Sequence, residues 1–391
     1  MARPSLPPEI LERIFRSNLK QRPHGIEPIA EGVDEDEDDC GRTFREDANF
    51  LLPCCRRIDI RSLRTIQLLL RSVQEDFIAP CPIRHLALRT YPSLRYHSVI
   101  LRNEFAALAA LLLPICTDLR YLECTSVPFG KSLTTAVGSY PPLLSLRELS
   151  VGHVYFRDLI PVLIHAPSLE KLDITSLTNF CRYPDNHANP IDYAPLSNWV
   201  ALAHPVTPTF SLHHLRLCST RLHPDQIPWL LAYSRNVALI ELEGYTGDIL
   251  GALATSTGSA VRSLKLTGRH RLEDPVDFAQ HISLFTGLKA LQLSRQDVAM
   301  HALLPAIRSP LESLGVYYSA ITIANLMVAL CDRTCLPGLK TVAVYCDATV
   351  QRLIEAQRRP LEDVCSARDV ECIWETSPTP IARIVCAYPD D

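Results

Sequence analysis

Apolar residues return along the chain with one fixed spacing: a first apolar residue, a second three positions later, and a third two positions after that. Leu146, Leu149 and Val151 form one such triplet. The triplets begin at Ile83, Leu119, Leu146, Leu169, Leu212, Val237, Val261, Leu288, Leu311 and Leu339. Their starts lie 36, 27, 23, 43, 25, 24, 27, 23 and 28 residues apart. This near-constant interval indicates that most of the chain repeats one structural unit.

The triplet spacing predicts a strand with one apolar face, because residues two positions apart share a face and the first residue enters from the preceding turn. A helix-like segment follows each strand, and four of these segments carry predicted capping residues, namely Asp248, Asp297, Thr322 and Asp347. One strand–helix unit cannot bury its own apolar face, so neighbouring units must stack. A period of about 20–29 residues is typical of leucine-rich repeats. We therefore predict an α/β leucine-rich-repeat solenoid, a horseshoe with parallel strands on its concave face and helices on its convex face.

Three parts of the chain follow from this pattern. Residues 1–75 are predicted to form a small all-α module, residues 76–375 the domain of about ten repeats, and residues 376–391 a loose Pro-rich tail. The module begins with an amphipathic helix whose apolar stripe is Ile10, Leu11, Ile14 and Phe15. The stretch at about 20–43 ends in an acidic run, and we predict that it is a disordered insertion because it is too charged to pack.

The N-terminal module also carries a divided motif. Residues 6–15 read LPPEILERIF, and residues 51–68 read LLPCCRRIDIRSLRTIQL. Together they resemble the F-box of fungal F-box/leucine-rich-repeat proteins, although the acidic insertion splits the motif and Ile58 stands where a Trp is usual. The resemblance implies that the module binds the Skp adaptor of an SCF-type cullin ubiquitin ligase, while the repeats hold a protein substrate. The implied adaptor-binding residues are Leu6, Pro7, Pro8, Ile10, Leu11, Ile14, Phe15, Cys55, Arg56 and Leu63.

The N-terminal apolar stripe has a second interpretation. A repeat array requires an end cap, and the N-terminal helices could serve only that purpose. The chain would then be a stand-alone leucine-rich-repeat scaffold for protein interactions. Binding of the Skp adaptor distinguishes the two interpretations.

Alternation along the strands predicts which residues the concave face exposes. The middle row, defined as the residues between the second and third triplet positions, alternates in charge and therefore favours recognition of a protein or peptide. In the row one step after the third triplet position, Tyr317 and Tyr345 lie on neighbouring strands, and we predict that they form an exposed pair. A Pro- and Asn-rich insertion before Leu212 adds aromatic residues that either contact a partner or pack on adjacent repeats. The predicted substrate-binding residues are Glu123, Asp173, Arg216, Glu241, Lys265, Tyr317, Tyr345, Tyr193 and Trp199.

Composition and charge argue against other partners and compartments. The net charge is −4, and seven acidic residues lie in one run, so we expect no nucleic-acid partner. The longest uncharged apolar run, residues 105–117, is too short to span a bilayer, so we expect no membrane partner. The fourteen cysteines are scattered, and no signal peptide precedes them, which predicts a reduced protein in the cytoplasm, the nucleus or both.

The sequence contains no motif for catalysis, a metal or a cofactor. The Gly130-Lys131-Ser132 stretch resembles the end of a phosphate-binding loop, but Thr125 stands where such a loop requires a glycine. His213 and His214 are neighbours on a predicted strand and face opposite sides, so they cannot share a metal ion. We therefore predict a protein that is not an enzyme and needs no cofactor.

Overall fold

The chain divides into two compact units, Met1–Leu169 and Glu170–Asp391. The computed structural model describes residues 57–60, 83–89, 116–124, 143–152, 156–175, 207–218, 224–267, 275–294, 300–346 and 351–376. It also describes the short runs 66–67, 107–109 and 111–113 and the single residues 63, 70 and 222. Within these ranges, the helices are all too short or too polar to cross a membrane.

The first unit contains four parallel strands that pair in chain order. The strands are β1 (Arg57–Ile60), β2 (His85–Leu88), β3 (Tyr121–Cys124) and β4 (Glu148–Gly152). Helix α1 (Phe156–Ile164) follows β4. Helical residues also lie between β1 and β2, and between β2 and β3. Each strand is therefore joined to the next in the sheet by a crossover, as parallel pairing requires.

The second unit contains eight parallel strands, again paired in chain order. They are β5 (Lys171–Thr175), β6 (His214–Cys218), β7 (Leu239–Glu243), β8 (Ser263–Thr267), β9 (Ala290–Ser294), β10 (Ser313–Tyr317), β11 (Thr341–Cys346) and β12 (Glu371–Thr376). Six helices alternate with the strands from β6 onward: α2 (Gln226–Leu230), α3 (Gly247–Thr257), α4 (Pro275–Ser283), α5 (Met300–Ala306), α6 (Ala320–Cys331) and α7 (Gln351–Ser366). Each of these helices packs against the next one.

The apolar triplets form the core of both units. Every triplet residue is at most 6% exposed, and the second and third residues of each triplet lie in β2 to β11 as predicted. The helices add buried residues from their inner faces, such as Leu250 and Leu253 in α3. The α/β class, the parallel strands and the repeated strand–helix order are therefore confirmed.

The backbone locks the register of neighbouring repeats with one recurring contact. The carbonyl oxygen of Arg262 accepts hydrogen bonds from the amides of Lys289 and Ala290 in the next repeat, at 2.8 and 2.9 Å. The same two-donor arrangement recurs at other carbonyls, namely those of Glu170, His213, Ala238, Lys289 and Glu312 in the second unit and of Arg84 and Arg120 in the first. A slip of one residue would expose the apolar face, so this contact and the triplets specify the same register.

The structure corrects the predictions for one segment and for two capping residues. Residues 57–60 form β1, which pairs with β2, so the prediction that residues 1–75 are all-α is wrong at this strand. The cap of α6 is Ser319, whose hydroxyl accepts a hydrogen bond from the Thr322 amide at 3.0 Å, and not Thr322 itself. Asp248 lies in the first turn of α3, after the capping position at Thr246. Asp297 and Asp347 lie outside the described residues.

Before β6, the hydroxyl of a serine replaces the turn carbonyl that accepts a hydrogen bond in other repeats. Within the described residues, the amide of the first triplet residue donates to the carbonyl three residues earlier in five repeats, as in Leu288 to Phe285 and Leu339 to Leu336. Leu212 follows the long insertion, and its amide donates instead to the hydroxyl of Ser234, in the turn between α2 and β7, at 2.9 Å. Ser234 is fully buried. Its hydroxyl therefore satisfies a backbone donor that has lost its usual partner.

Replacing Ser234 with alanine is expected to lower the free energy of unfolding by about 2 kcal/mol, because the buried Leu212 amide is left without an acceptor. Urea denaturation measures this change. The control is Ser309→Ala, which also removes a buried hydroxyl, but one without a hydrogen-bond partner among the described residues. Equal losses in the two variants would contradict the role assigned to Ser234.

Candidate functional site

The middle row of the second unit is the best candidate for a ligand-binding surface. Its residues come from the centre of each strand, on the face opposite the apolar triplets. Strand pairing places them side by side, with Asp173 opposite Arg216, Arg216 opposite Glu241, and Glu241 opposite Lys265. The row continues through Gln292, Gly315 and Ala343. Neighbouring strands are about 4.8 Å apart, so opposite charges at adjacent positions can form ion pairs.

The charged residues of this row are paired with one another. A guanidinium nitrogen of Arg216 lies 3.4 Å from a carboxylate oxygen of Asp173, and the ammonium of Lys265 lies 3.6 Å from Glu241. The cationic side chains are 44% and 41% exposed, whereas Asp173 and Glu241 are 17% and 23% exposed. The carboxylates therefore lie deeper, and the cations are the groups that a ligand would meet first.

His214 adds a neutral donor beside this row. Its Nε2 lies 3.2 Å from a carboxylate oxygen of Glu241. Burial lowers the pKa of His214, and this effect exceeds the opposing attraction of Glu241. The imidazole is therefore mainly neutral at pH 7, and we assign the contact as a hydrogen bond that the ring donates.

The row after the third triplet position holds the tyrosines. Tyr317 and Tyr345 are register partners on β10 and β11, as predicted. Tyr317 is only 9% exposed, however, so the prediction of an exposed pair is wrong for this residue. The ring of Tyr345 leans over Gly315, where an added Cβ would lie 2.9 Å from the ring carbon Cε2. Tyr345 is half-buried, and burial raises the pKa of its hydroxyl. It is thus the tyrosine of this pair that remains accessible.

The first unit has a different polar cluster, centred on Glu123. Arg89 donates two hydrogen bonds to the carboxylate of Glu123, at 2.8 and 2.7 Å, and Tyr121 donates a third at 3.0 Å. Arg89 also lies 3.5 Å from Asp59 in β1. Burial, followed by the charge of Glu123, raises the pKa of Tyr121 to about 12. Glu123 is 8% exposed, so its role is to hold Arg89 and Tyr121 in place rather than to meet a ligand directly.

Sequence reasoning missed Arg89, Tyr121 and His214. Arg89 occupies the same position as Tyr317, one step past the third triplet residue, and the same rule would have found it. Tyr121 and His214 each lie one step before the second triplet residue, in a row that the prediction left out. These flanking rows matter because their long side chains reach the carboxylates of the middle row.

The remaining predicted site residues are placed only in part. Leu63 is a helical, half-buried residue after β1. The other adaptor-binding candidates and the two aromatic residues of the insertion lie outside the described residues, namely Leu6, Pro7, Pro8, Ile10, Leu11, Ile14, Phe15, Cys55, Arg56, Tyr193 and Trp199.

A shallow groove lies on the helical side of the second unit, with a volume of about 460 Å³. Helices α3 and α4 contribute most of its lining, and Asp248 is its charged residue. The imidazole of His281 packs on Gly251, where an added Cβ would lie 2.8 Å from Nε2. Small residues that allow close helix contact account for this groove, so the strand face remains the stronger candidate. Among the described side chains, no three His, Cys, Asp or Glu residues are close enough to hold a metal ion.

No protein-family model matches the chain, and no curated protein is significantly similar to it.

Proposed function

We propose that the protein is a non-catalytic receptor that binds a protein ligand on the strand face of its second unit. The alternating ion pairs of the middle row, from Asp173 to Lys265, carry this proposal. Arg216 and Lys265 are the more exposed members of these pairs, and ion pairs near the surface contribute only about 0–1 kcal/mol to folding, so these cations can exchange partners at little cost. A ligand with acidic and basic side chains in the complementary order would be selected by this pattern.

The half-buried Tyr345 supplies an apolar contact on the same face. Aromatic residues that are held in place by packing contribute strongly to protein interfaces, because they lose little conformational freedom on binding. Gly315 leaves the room that holds the Tyr345 ring. The charged pairs on β5 to β8 therefore supply selectivity for the ligand, and Tyr345 on β11 supplies apolar contact area.

A variant with exchanged charges tests the ligand-binding surface. Glu241→Lys combined with Lys265→Glu keeps an ion pair but reverses the order of charges that a ligand meets. We expect proteins captured from a cell extract by the unchanged chain to be depleted about tenfold or more with this variant, as measured by quantitative mass spectrometry. The control exchanges Arg358 and Glu362, an exposed ion pair on α7. Equal capture by all three proteins would overturn the assignment of the surface.

The F-box resemblance extends the proposal to a substrate receptor of an SCF-type ubiquitin ligase, in which the N-terminal module binds the Skp adaptor. We expect the full chain to bind purified adaptor in calorimetry, and Ile10→Asp to abolish binding because an apolar contact becomes charged. Ile321→Asp, at a residue that is 74% exposed in the second unit, is the control. Circular dichroism checks that both variants fold.

A stand-alone interaction scaffold is the second candidate, and the position of β1 favours it. This strand, part of the segment that resembles an F-box, pairs with β2 as the first strand of its sheet. Part of the segment therefore belongs to the repeat array. If the full chain binds no adaptor but still loses ligands on charge exchange, the scaffold is the correct function.

A further inference from the structure

Two cysteines meet at the end of the second unit. Cys365 lies in the last turn of α7, and Cys372 is the second residue of β12. The connecting turn is tight, because the amide of Val370 donates to the Cys365 carbonyl at 3.0 Å and Asp369 has a positive φ of 59°. Helix and strand therefore leave this turn side by side, with the two cysteines facing each other.

The side chain of Cys372 points towards the helix that carries Cys365. Cys372 pairs in register with Val342, a fully buried residue, so its side chain faces the helices and not the ligand-binding surface. There it shares a hydrogen bond with the Cys365 thiol. Cys365 is fully buried, whereas Cys372 is only partly buried because β12 is the last strand of the sheet. Cys372 is therefore the more exposed cysteine of the pair.

The surroundings of Cys372 favour its thiolate. The hydrogen bond from Cys365 lowers the pKa of Cys372, and the approach of the Trp374 indole and the charge of Arg358 act in the same direction, against burial and Glu362. Arg358 lies 6.0 Å from the centre of the Trp374 ring. The same hydrogen bond, together with burial, raises the pKa of Cys365. This environment makes Cys372 the more acidic thiol of the pair, and Cys365 the thiol that keeps its proton more strongly.

We propose that Cys365 and Cys372 form a dithiol site that hydroperoxides oxidise to an intramolecular disulfide. The Cys372 thiolate attacks the peroxide O–O bond, which gives a sulfenic acid on Cys372 and releases an alcohol, or water from hydrogen peroxide, once the leaving oxygen takes a proton. The Cys365 thiol then attacks the sulfenic sulfur, so that an S–S bond forms and one water leaves. Two thiols lose two electrons in total, and the peroxide accepts them.

No other described cysteine combines a neighbouring thiol with a lowered pKa. Burial raises the pKa of Cys124 and of Cys335. Among the described cysteines, the alternative pair that is nearest in sequence is Cys331, which ends α6 and is exposed, and Cys335, four positions later. They provide an internal comparison, because the same oxidant reaches both pairs in one sample.

Peptide mapping of the intact chain tests the site. The full chain is treated with hydrogen peroxide at pH 7, its remaining thiols are alkylated, and the chain is digested with trypsin. A disulfide at the proposed site joins peptides 359–368 and 369–383, whereas a Cys331–Cys335 disulfide joins peptides 309–333 and 334–340. We expect the first pair of peptides to be joined about tenfold faster than the second. An equal or lower rate would overturn the proposal.

Single substitutions separate the two steps. Cys365→Ser is expected to leave a sulfenic acid on Cys372 that dimedone labels, with no joined peptides, because the second thiol is missing. Cys372→Ser is expected to abolish both products, and Cys331→Ser to change neither. Absence of the dimedone adduct in Cys365→Ser, in protein whose circular dichroism is unchanged, would show that Cys372 is not the residue attacked.

Discussion

Replacing Leu264 with alanine is expected to lower the free energy of unfolding of the second unit by about 2–5 kcal/mol. Leu264 is fully buried in β8, with Ile240 and Leu291 as its register partners. The neighbouring strands are fixed by their own hydrogen bonds, so the cavity left by the lost methyl groups cannot close. Both the transfer of apolar surface and the residual cavity contribute to the loss.

Tryptophan fluorescence during urea denaturation measures this change selectively. All three tryptophans of the chain, Trp199, Trp229 and Trp374, belong to the second unit. The control is Leu284→Ala, at a leucine that is 45% exposed, where we expect less than about 1 kcal/mol. Similar midpoints for the two variants would show that the triplet residues do not form the stabilising core.

Gly287→Ala is expected to lower the free energy of unfolding by about 3 kcal/mol, the upper end of the usual cost of overpacking. An added Cβ would clash with the Ser259 carbonyl oxygen and lie 2.6 Å from Nη1 of Arg262. Arg262 also donates a hydrogen bond to the Gly287 carbonyl at 2.9 Å, so relieving the clash disturbs this contact. The same fluorescence experiment measures the effect.

The repeat supplies a matched control for this glycine. Gly338 precedes the first triplet residue Leu339, just as Gly287 precedes Leu288. At Gly338 the nearest atom to an added Cβ is the Leu311 carbonyl oxygen at 3.5 Å, an ordinary contact. Gly338→Ala is therefore expected to be neutral or to stabilise by up to about 1 kcal/mol, because alanine restricts the unfolded chain. A large loss in this variant would contradict the steric explanation.

The strands and their core could be predicted from the sequence because their signal is local. The triplet spacing fixes which residues share a face. In a solenoid each strand needs only to bury that face against its neighbours. Strand β1 carries the same signal, since Cys55, Ile58 and Ile60 have triplet spacing and start 28 residues before Ile83. The prediction missed this triplet because the F-box resemblance assigned the segment to helices.

The candidate site was less predictable because exposure depends on long side chains from neighbouring strands. Alternation correctly placed Asp173, Arg216, Glu241 and Lys265 in one row. It could not indicate that Arg89 would reach the carboxylate of Glu123. Nor could alternation indicate that Tyr317 would be buried while the ring of Tyr345 occupies the space above Gly315. These contacts join residues that are far apart in sequence, and no local pattern encodes them.

The contact between Leu212 and Ser234 also sets an order for folding during synthesis. The acceptor for the Leu212 amide lies 22 residues further along the chain. A nascent chain that has only just exposed β6 at the ribosome still lacks this acceptor, whereas most other repeats carry theirs in the preceding turn. The segment that leads into β6 therefore gains this hydrogen bond only after α2 and the turn that follows it have been synthesised.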